Sequence, residues 1–249
     1  MAPVKLAALT LSLLGILFWQ HDSSQVAHWS YSGEAGPEHW GELSRENSAC
    51  KAGHEQSPID IQTAERGSPQ PIQFDYQPSP LNIVNNGHSI QVNYSPGSKI
   101  SVGGTDYEVV QFHFHQPSEE EVQGRRYDMV MHIVHKDNEG HLAVVAVLMN
   151  TGRENAALQQ VWNHLPASPG DQYEIGDISV NLSSLLPGPK GYYTFDGSLT
   201  TPPCTEGVRW FVLKTPVQLS GAQLAAFSRL YPDTARPIQP TNGRKIEEH

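Results

Sequence analysis

Three runs between Tyr107 and Leu148 constrain the fold of this chain more than any other part of it. Tyr107–His115 is rich in β-branched and aromatic residues, while Met129–His135 and Leu142–Leu148 are apolar almost throughout. Apolar runs of this length and make-up read as central strands buried on both faces. Ser89–Tyr94 alternates as a half-buried strand does, and Val208–Lys214 is a further strand-like run. The turns between such runs are supplied by 21 glycines and 19 prolines. Two segments carry helical periodicity. Thr151 and Glu154 fit a capping box ahead of Leu158, Val161, Trp162 and Leu165, and Ser220 and Gln223 fit a second ahead of Leu224, Phe227 and Leu230. Many strands with few helices predict a predominantly β protein, a large central sheet with short peripheral helices. No internal repeat, low-complexity tract or charged linker divides the sequence, which predicts a single domain.

Two of the central runs carry histidines. In Gln111-Phe112-His113-Phe114-His115, residues two apart point to the same face of a strand, so His113 and His115 stand side by side. His132 lies in Met131-His132-Ile133-Val134-His135, and adjacent strands would bring the three imidazoles together. Three histidines with a fourth position open form the ligand set of a catalytic zinc site rather than a closed structural one. His135, three residues from His132, points the other way and is read as structural. His28, His39, His54, His141 and His164 are read as ordinary surface or core histidines. His113-x-His115-x-x-x-Glu119 also resembles the first motif of the cupins, where the glutamate is itself a ligand and the metal is iron or manganese. The second cupin motif is not found in this sequence.

With 38% hydrophobic and 17% charged residues, the composition is that of a folded globular protein. The net charge of −10 repels phosphate backbones, so no nucleic acid is expected as a partner. At the N-terminus, Lys5 precedes an uncharged apolar run from Leu6 to Trp19, the layout of a secretory signal and short for a membrane span. Residues 1–27 are therefore read as a signal peptide or N-terminal anchor and 28–249 as the folded domain, periplasmic or secreted. Outside the reducing cytosol, Cys50 and Cys204 are expected to form one disulfide, two buried thiols being the other reading. Such a bridge would close a loop of more than 150 residues. The chain-entropy account gives it up to about 5 kcal/mol.

Further motifs converge on one family. Gly197-Ser198-Leu199-Thr200-Thr201-Pro202-Pro203 resembles the active-site loop of the α-class carbonic anhydrases. Gln56-Ser57-Pro58-Ile59-Asp60-Ile61 resembles their N-terminal signature, Asn85-Asn86-Gly87-His88 their proton-shuttle segment, and Arg236-Pro237-Ile238-Gln239-Pro240 their C-terminal segment. The motifs occur in family order from about His28 to Arg244, and Cys50 and Cys204 stand where bacterial members carry a disulfide.

The resemblance implies a single domain built on a large mixed, mainly antiparallel sheet. It implies reversible hydration of carbon dioxide to bicarbonate and a proton by a zinc-bound hydroxide, with weak hydrolysis of activated esters. His113, His115 and His132 would hold Zn2+, Thr200 would pass a hydrogen bond to Glu119, and His88 would shuttle the proton, with Tyr31, Asn86 and Gln91 ordering water. Val134, Val144, Leu199 and Trp210 would form the apolar wall for carbon dioxide, and Thr201 would line the substrate side. Sulfonamide and anion inhibitors are expected, and bacterial relatives suggest a homodimer. A family relative kept only as a binding module is the non-enzymatic reading.

One position departs from the family pattern. Ligand histidines need hydrogen-bond partners that fix their tautomer. Gln111 suits His113, and a backbone carbonyl is expected for His115. The family usually places Glu two residues before the third ligand, and here that residue is Val130. Loss of such a partner typically costs about 10–100-fold in metal affinity or activity, so weaker zinc is expected, with slower loss in Val130→Glu.

Overall fold

The computed structural model describes residues 28–67 and 69–249. The expectation for residues 1–27 lies outside them. Along the chain run the short helices α1 (Trp40–Leu43) and α2 (Ala49–Ala52), then strands β1 (Asp60–Ile61), β2 (Glu65–Arg66), β3 (Gln73–Asp75), β4 (Ser79–Asn85), β5 (Ile90–Asn93) and β6 (Lys99–Val102). Next come β7 (Thr105–His115), β8 (Glu121–Val122), β9 (Arg125–Arg126), β10 (Met129–Lys136), β11 (Leu142–Thr151), α3 (Ala156–Trp162) and β12 (Gln172–Val180). The chain ends with β13 (Tyr192–Ser198), β14 (Glu206–Leu219), α4 (Gly221–Ser228) and β15 (Glu247–Glu248).

Twelve strands form one sheet, ordered β12-β4-β5-β7-β10-β11-β14-β13-β15-β2, with β6 and β3 branching from β7. Two pairings, β11 with β14 and β15 with β2, are parallel, and the rest are antiparallel. A small second sheet joins β1, β8 and β9. The expected mixed, mainly antiparallel sheet with few short helices is what the chain forms. Among the described residues no helix is long and apolar enough to cross a membrane.

Period-2 alternation sorts the central strands into two faces. Phe112, Phe114, Met131, Ile133, Val145, Val147, Phe211 and Leu213 enter one core. Val130, Val134, Val144, Ala146, Leu148, Trp210 and Val212 enter the other. Strands buried on both faces explain why these runs read as continuously apolar. Helices α3 and α4 cover the first core, with Trp162 edge-on to Phe114 at 4.8 Å and stacked on Phe227 at 6.2 Å.

Helix α4 starts with the expected capping box, Ser220 Oγ accepting from Gln223 N and Gln223 Oε1 accepting from Ser220 N. The first expected box is not formed. Thr151 is the last residue of β11, paired with Leu219, and its extended backbone is committed to the sheet. Asn155 caps α3 instead, accepting from Leu158 N at 3.1 Å. Leu158, Val161 and Trp162 are buried on that helix as expected, while Leu165 lies beyond its end.

Candidate metal centre

Antiparallel pairing of β7 with β10 sets His113 directly opposite His132, and His115 opposite Val130. Directly opposed residues carry their side chains on the same face about 5 Å apart, and His115 is two residues from His113. The three rings consequently meet, with centroids 5.0 Å (His113–His115), 5.5 Å (His113–His132) and 4.8 Å (His115–His132) apart. One ring nitrogen from each lies within 4.8 Å of the others.

The other nitrogen of each ring is occupied. His113 Nδ1 donates to Gln111 Oε1 at 2.9 Å, His115 Nδ1 to Thr234 O at 2.8 Å, and His132 Nε2 to Glu120 Oε2 at 3.2 Å. That leaves Nε2 of His113, Nε2 of His115 and Nδ1 of His132 with lone pairs facing one another. His115 Nε2 is a buried nitrogen without a hydrogen-bond partner. Buried polar atoms are nearly always paired, so an orphan amid two more imidazoles fits a cation. Burial and then the neighbouring His132 push His113 down to about 3, and the same causes plus His113 hold His115 well below the usual histidine range. Both imidazoles are thereby kept neutral, the form in which histidine can bind a metal. For His132, burial opposes the charge, but Glu120 and Glu119 outweigh it and raise the pKa.

Glu120 supplies the acceptor that Val130 lacks. Valine offers no acceptor, yet His132 is not left without one. The carboxylate comes from the loop after β7 rather than from its own strand. Val130 is fully buried in the second core. The run Glu119-Glu120-Glu121 is visible in the sequence, but strand periodicity does not say which of the three would face His132.

Glu119 is also fully buried. Its Oε1 accepts from Arg236 N at 2.9 Å, while Oε2 has no hydrogen-bond partner and lies 3.5 Å from His115 Nε2 and 3.8 Å from His132 Nδ1. Burial raises its pKa to about 7, with His132, the Arg236 N–H and the Thr200 hydroxyl opposing the rise and Glu120 adding to it. Thr200 is buried, and Thr201 is half-buried beside it.

Three of the residues expected to form an apolar wall share a sheet register. Gln111, Val134, Val144 and Trp210 occupy one transverse row across β7, β10, β11 and β14. In the neighbouring row stand His113, His132, Ala146 and Val212. Trp210 lies edge-on to His132 at 4.9 Å, and its Nε1 donates to Ser198 O at 3.1 Å. Leu199 packs against this cluster.

Distant segments hold the loop that carries Leu199 and Thr200. Ser57 and Ser198 exchange hydrogen bonds, Ser57 N to Ser198 Oγ at 2.8 Å and Ser198 N to Ser57 Oγ at 3.2 Å. Cys50 and Cys204 form a disulfide that ties the loop's end to α2. Arg236 reaches across both with an almost fully buried guanidinium. The N-terminal and C-terminal motifs are thus the braces of the loop between β13 and β14.

His88 stands in the turn between β4 and β5. Its ring stacks on Trp29 at 3.6 Å with an 8° interplanar angle, and His28 is 6.4 Å off. Asn86 Oδ1 accepts from His88 N, and Asn86 Nδ2 donates to Gln91 Oε1 at 3.3 Å. Gln91 pairs with His113 across β5 and β7, which links this turn to the ligand row. Tyr31 packs edge-on to Trp29 at 5.3 Å. His135 faces the opposite core, where Tyr76 Oη is 2.9 Å from its Nε2.

A large mixed sheet gathers three histidines on one face, beside a row of apolar side chains, in an arrangement that could hold a metal ion. The sequence model of the eukaryotic-type carbonic anhydrases matches residues 35–249. A carbonic anhydrase of Nostoc sp. is 42% identical, over 98% of this chain and 96% of its own. One of Klebsiella pneumoniae is 43% identical over 98% of both. The α-carbonic anhydrase of Thermovibrio ammonificans, solved with the inhibitor sulfanilamide, superposes with a TM-score of 0.87 at 43% identity, covering 89% of this chain and 99% of that one. The chain belongs to the eukaryotic-type, or α-class, carbonic anhydrase family of zinc lyases. This membership replaces the cupin reading.

Proposed function

We propose that this protein catalyses the reversible hydration of carbon dioxide to bicarbonate and a proton, with Zn2+ held by His113, His115 and His132. The observation that carries the reading is the convergence of three free imidazole nitrogens beside the row Val134, Val144 and Trp210. Bound zinc would act as a Lewis acid that lowers the pKa of a water molecule to near neutrality.

The protein's own residues supply the rest. Neutral imidazoles leave the metal's charge undiminished. Thr200 accepts a hydrogen bond from the reacting water and donates its own proton toward Glu119, which fixes the direction of the oxygen lone pair. Val134, Val144, Leu199 and Trp210 hold an uncharged substrate against that lone pair and exclude competing water, and Thr201 lines its other side. His88 accepts the released proton and passes it to solvent, since a histidine titrates in the range required. Tyr31, Asn86 and Gln91 order the water between. The same site would hydrolyse activated esters weakly and bind sulfonamides and anions. The disulfide supports an oxidising compartment, periplasmic or extracellular, reached through cleavage or anchoring of residues 1–27.

The test is stopped-flow carbon dioxide hydration on protein of measured zinc content. Rapid hydration abolished by a sulfonamide is expected. Stoichiometric zinc without hydration would overturn the proposal in favour of a binding module.

A further inference from the structure

We infer that Glu120 is the positioning residue that holds His132 for the metal, a role moved from the strand position now occupied by Val130 to the loop after β7. The inference rests on the three-histidine reading of the site and goes beyond it in assigning a residue from outside the strand.

Three observations carry it. First, His132 Nε2 donates to Glu120 Oε2 at 3.2 Å and lies 3.1 Å from Oε1, which has no hydrogen-bond partner, and both residues are buried. Secondly, the loop that presents Glu120 is fixed on both sides. Ser118 N donates to Tyr127 O at 2.9 Å, Ser118 Oγ accepts from Tyr127 N at 2.8 Å and donates to Glu120 O at 2.8 Å, and Glu121 N donates to Ile59 O at 3.3 Å. The carboxylate therefore arrives from a braced backbone, as a ligand-orienting group must. Thirdly, the strand position has been given over to packing. Val130 is fully buried in a cluster that includes Ile59, Ile61, Tyr127 and Leu148.

Glu119 and Glu120 are consecutive residues of one pinned segment, Glu119 Oε1 accepting from Arg236 N and Glu120 Oε2 from His132 Nε2. Two buried carboxylates side by side repel, and a dication on the histidines offsets that repulsion. A third carboxylate at position 130 would add to it. The structure consequently reverses the expectation from sequence: Val130→Glu alone should not strengthen zinc binding.

The experiment follows zinc release from the holoprotein to a chromogenic chelator, with apo-protein thermal midpoints recorded for every variant. Glu120→Gln and Glu120→Ala are expected to release zinc about 10–100-fold faster than the natural chain, with Ala the faster. Glu120→Gln keeps the side-chain shape and serves where Glu120→Ala fails to fold. Val130→Glu alone is expected to lower the midpoint without slowing release. The double change Glu120→Gln with Val130→Glu puts a carboxylate back on the strand and should recover part of the loss, which a merely structural role for Glu120 would not allow. Release at the natural rate from both Glu120 variants overturns the inference. A natural protein that takes up no zinc removes the functional reading itself, a separate and distinguishable result.

Discussion

Arg236 Nη1 donates to Gln56 Oε1 at 2.9 Å across 180 residues of sequence. The same guanidinium donates to Ser57 O at 2.7 Å and Cys50 O at 3.0 Å. Burial lowers its pKa, yet only to about 10, so it stays charged at neutral pH. Arg236→Met would leave three acceptors unpaired, and Lys cannot span them from a single ammonium. Both variants should lose at least about 3 kcal/mol, or some 6–12 °C of thermal midpoint for a domain of this size. Calorimetry within a few degrees of the parent would show that these contacts contribute little.

Gly197 marks where backbone and side chains come too close for any other residue. A Cβ there would lie 2.2 Å from Ser57 Oγ and 2.9 Å from Trp210 Cδ1. Gly197→Ala should cost about 1–3 kcal/mol by overpacking and displace the Trp210 wall. Both lower stability and lower kcat/KM for hydration are expected, and an unchanged kcat/KM would mean that the loop absorbs the clash without moving the wall.

His135 predicts acid sensitivity. Burial, partly offset by hydrogen bonding with backbone carbonyls, holds its pKa near 4. The folded pKa is below the unfolded one, so the unfolded chain binds the proton first and stability falls with pH. The contribution is complete above about pH 6.5 and is lost as pH drops to 4, about 3 kcal/mol in all. His135→Gln, which cannot titrate, should flatten the fall of thermal midpoint across that window. An equally steep fall in the variant would place the acid sensitivity elsewhere.

The ring of His88 is held flat against Trp29, and burial followed by His28 lowers its pKa. His88→Ala should slow hydration in weak buffer and recover with added imidazole. Full turnover in weak buffer without His88 would remove it from proton transfer.

Much of the site was legible because it lies on strands. The spacing of His113 and His115 fixes their shared face, and the composition around His132 marks a neighbouring strand. What escaped depends on loops and on exposed edges. Glu120 belongs to the loop after β7, and only the turn at Ser118 brings it to His132. Gln172–Val180 was not anticipated, since an edge strand that is largely solvent-exposed carries no apolar alternation. Ser79–Asn85 does alternate, with Leu81 and Ile83 inward, but Pro80 at its start obscures it. Thr151 matched a capping pattern and lost it to β-pairing, where propensity yields to the sheet.

The transverse row Gln91, His113, His132, Ala146, Val212 and Tyr193 crosses six consecutive strands from β5 to β13. Parting any two of them would undo ladder bonds flanked by packed cores on both sides, an opening as costly as unfolding the domain. The histidines therefore cannot separate by hinge motion. Metal would have to come and go with the sheet intact, one imidazole letting go at a time, so the lifetime of the loaded protein is governed by how firmly each ring is aimed and hardly at all by breathing of the fold.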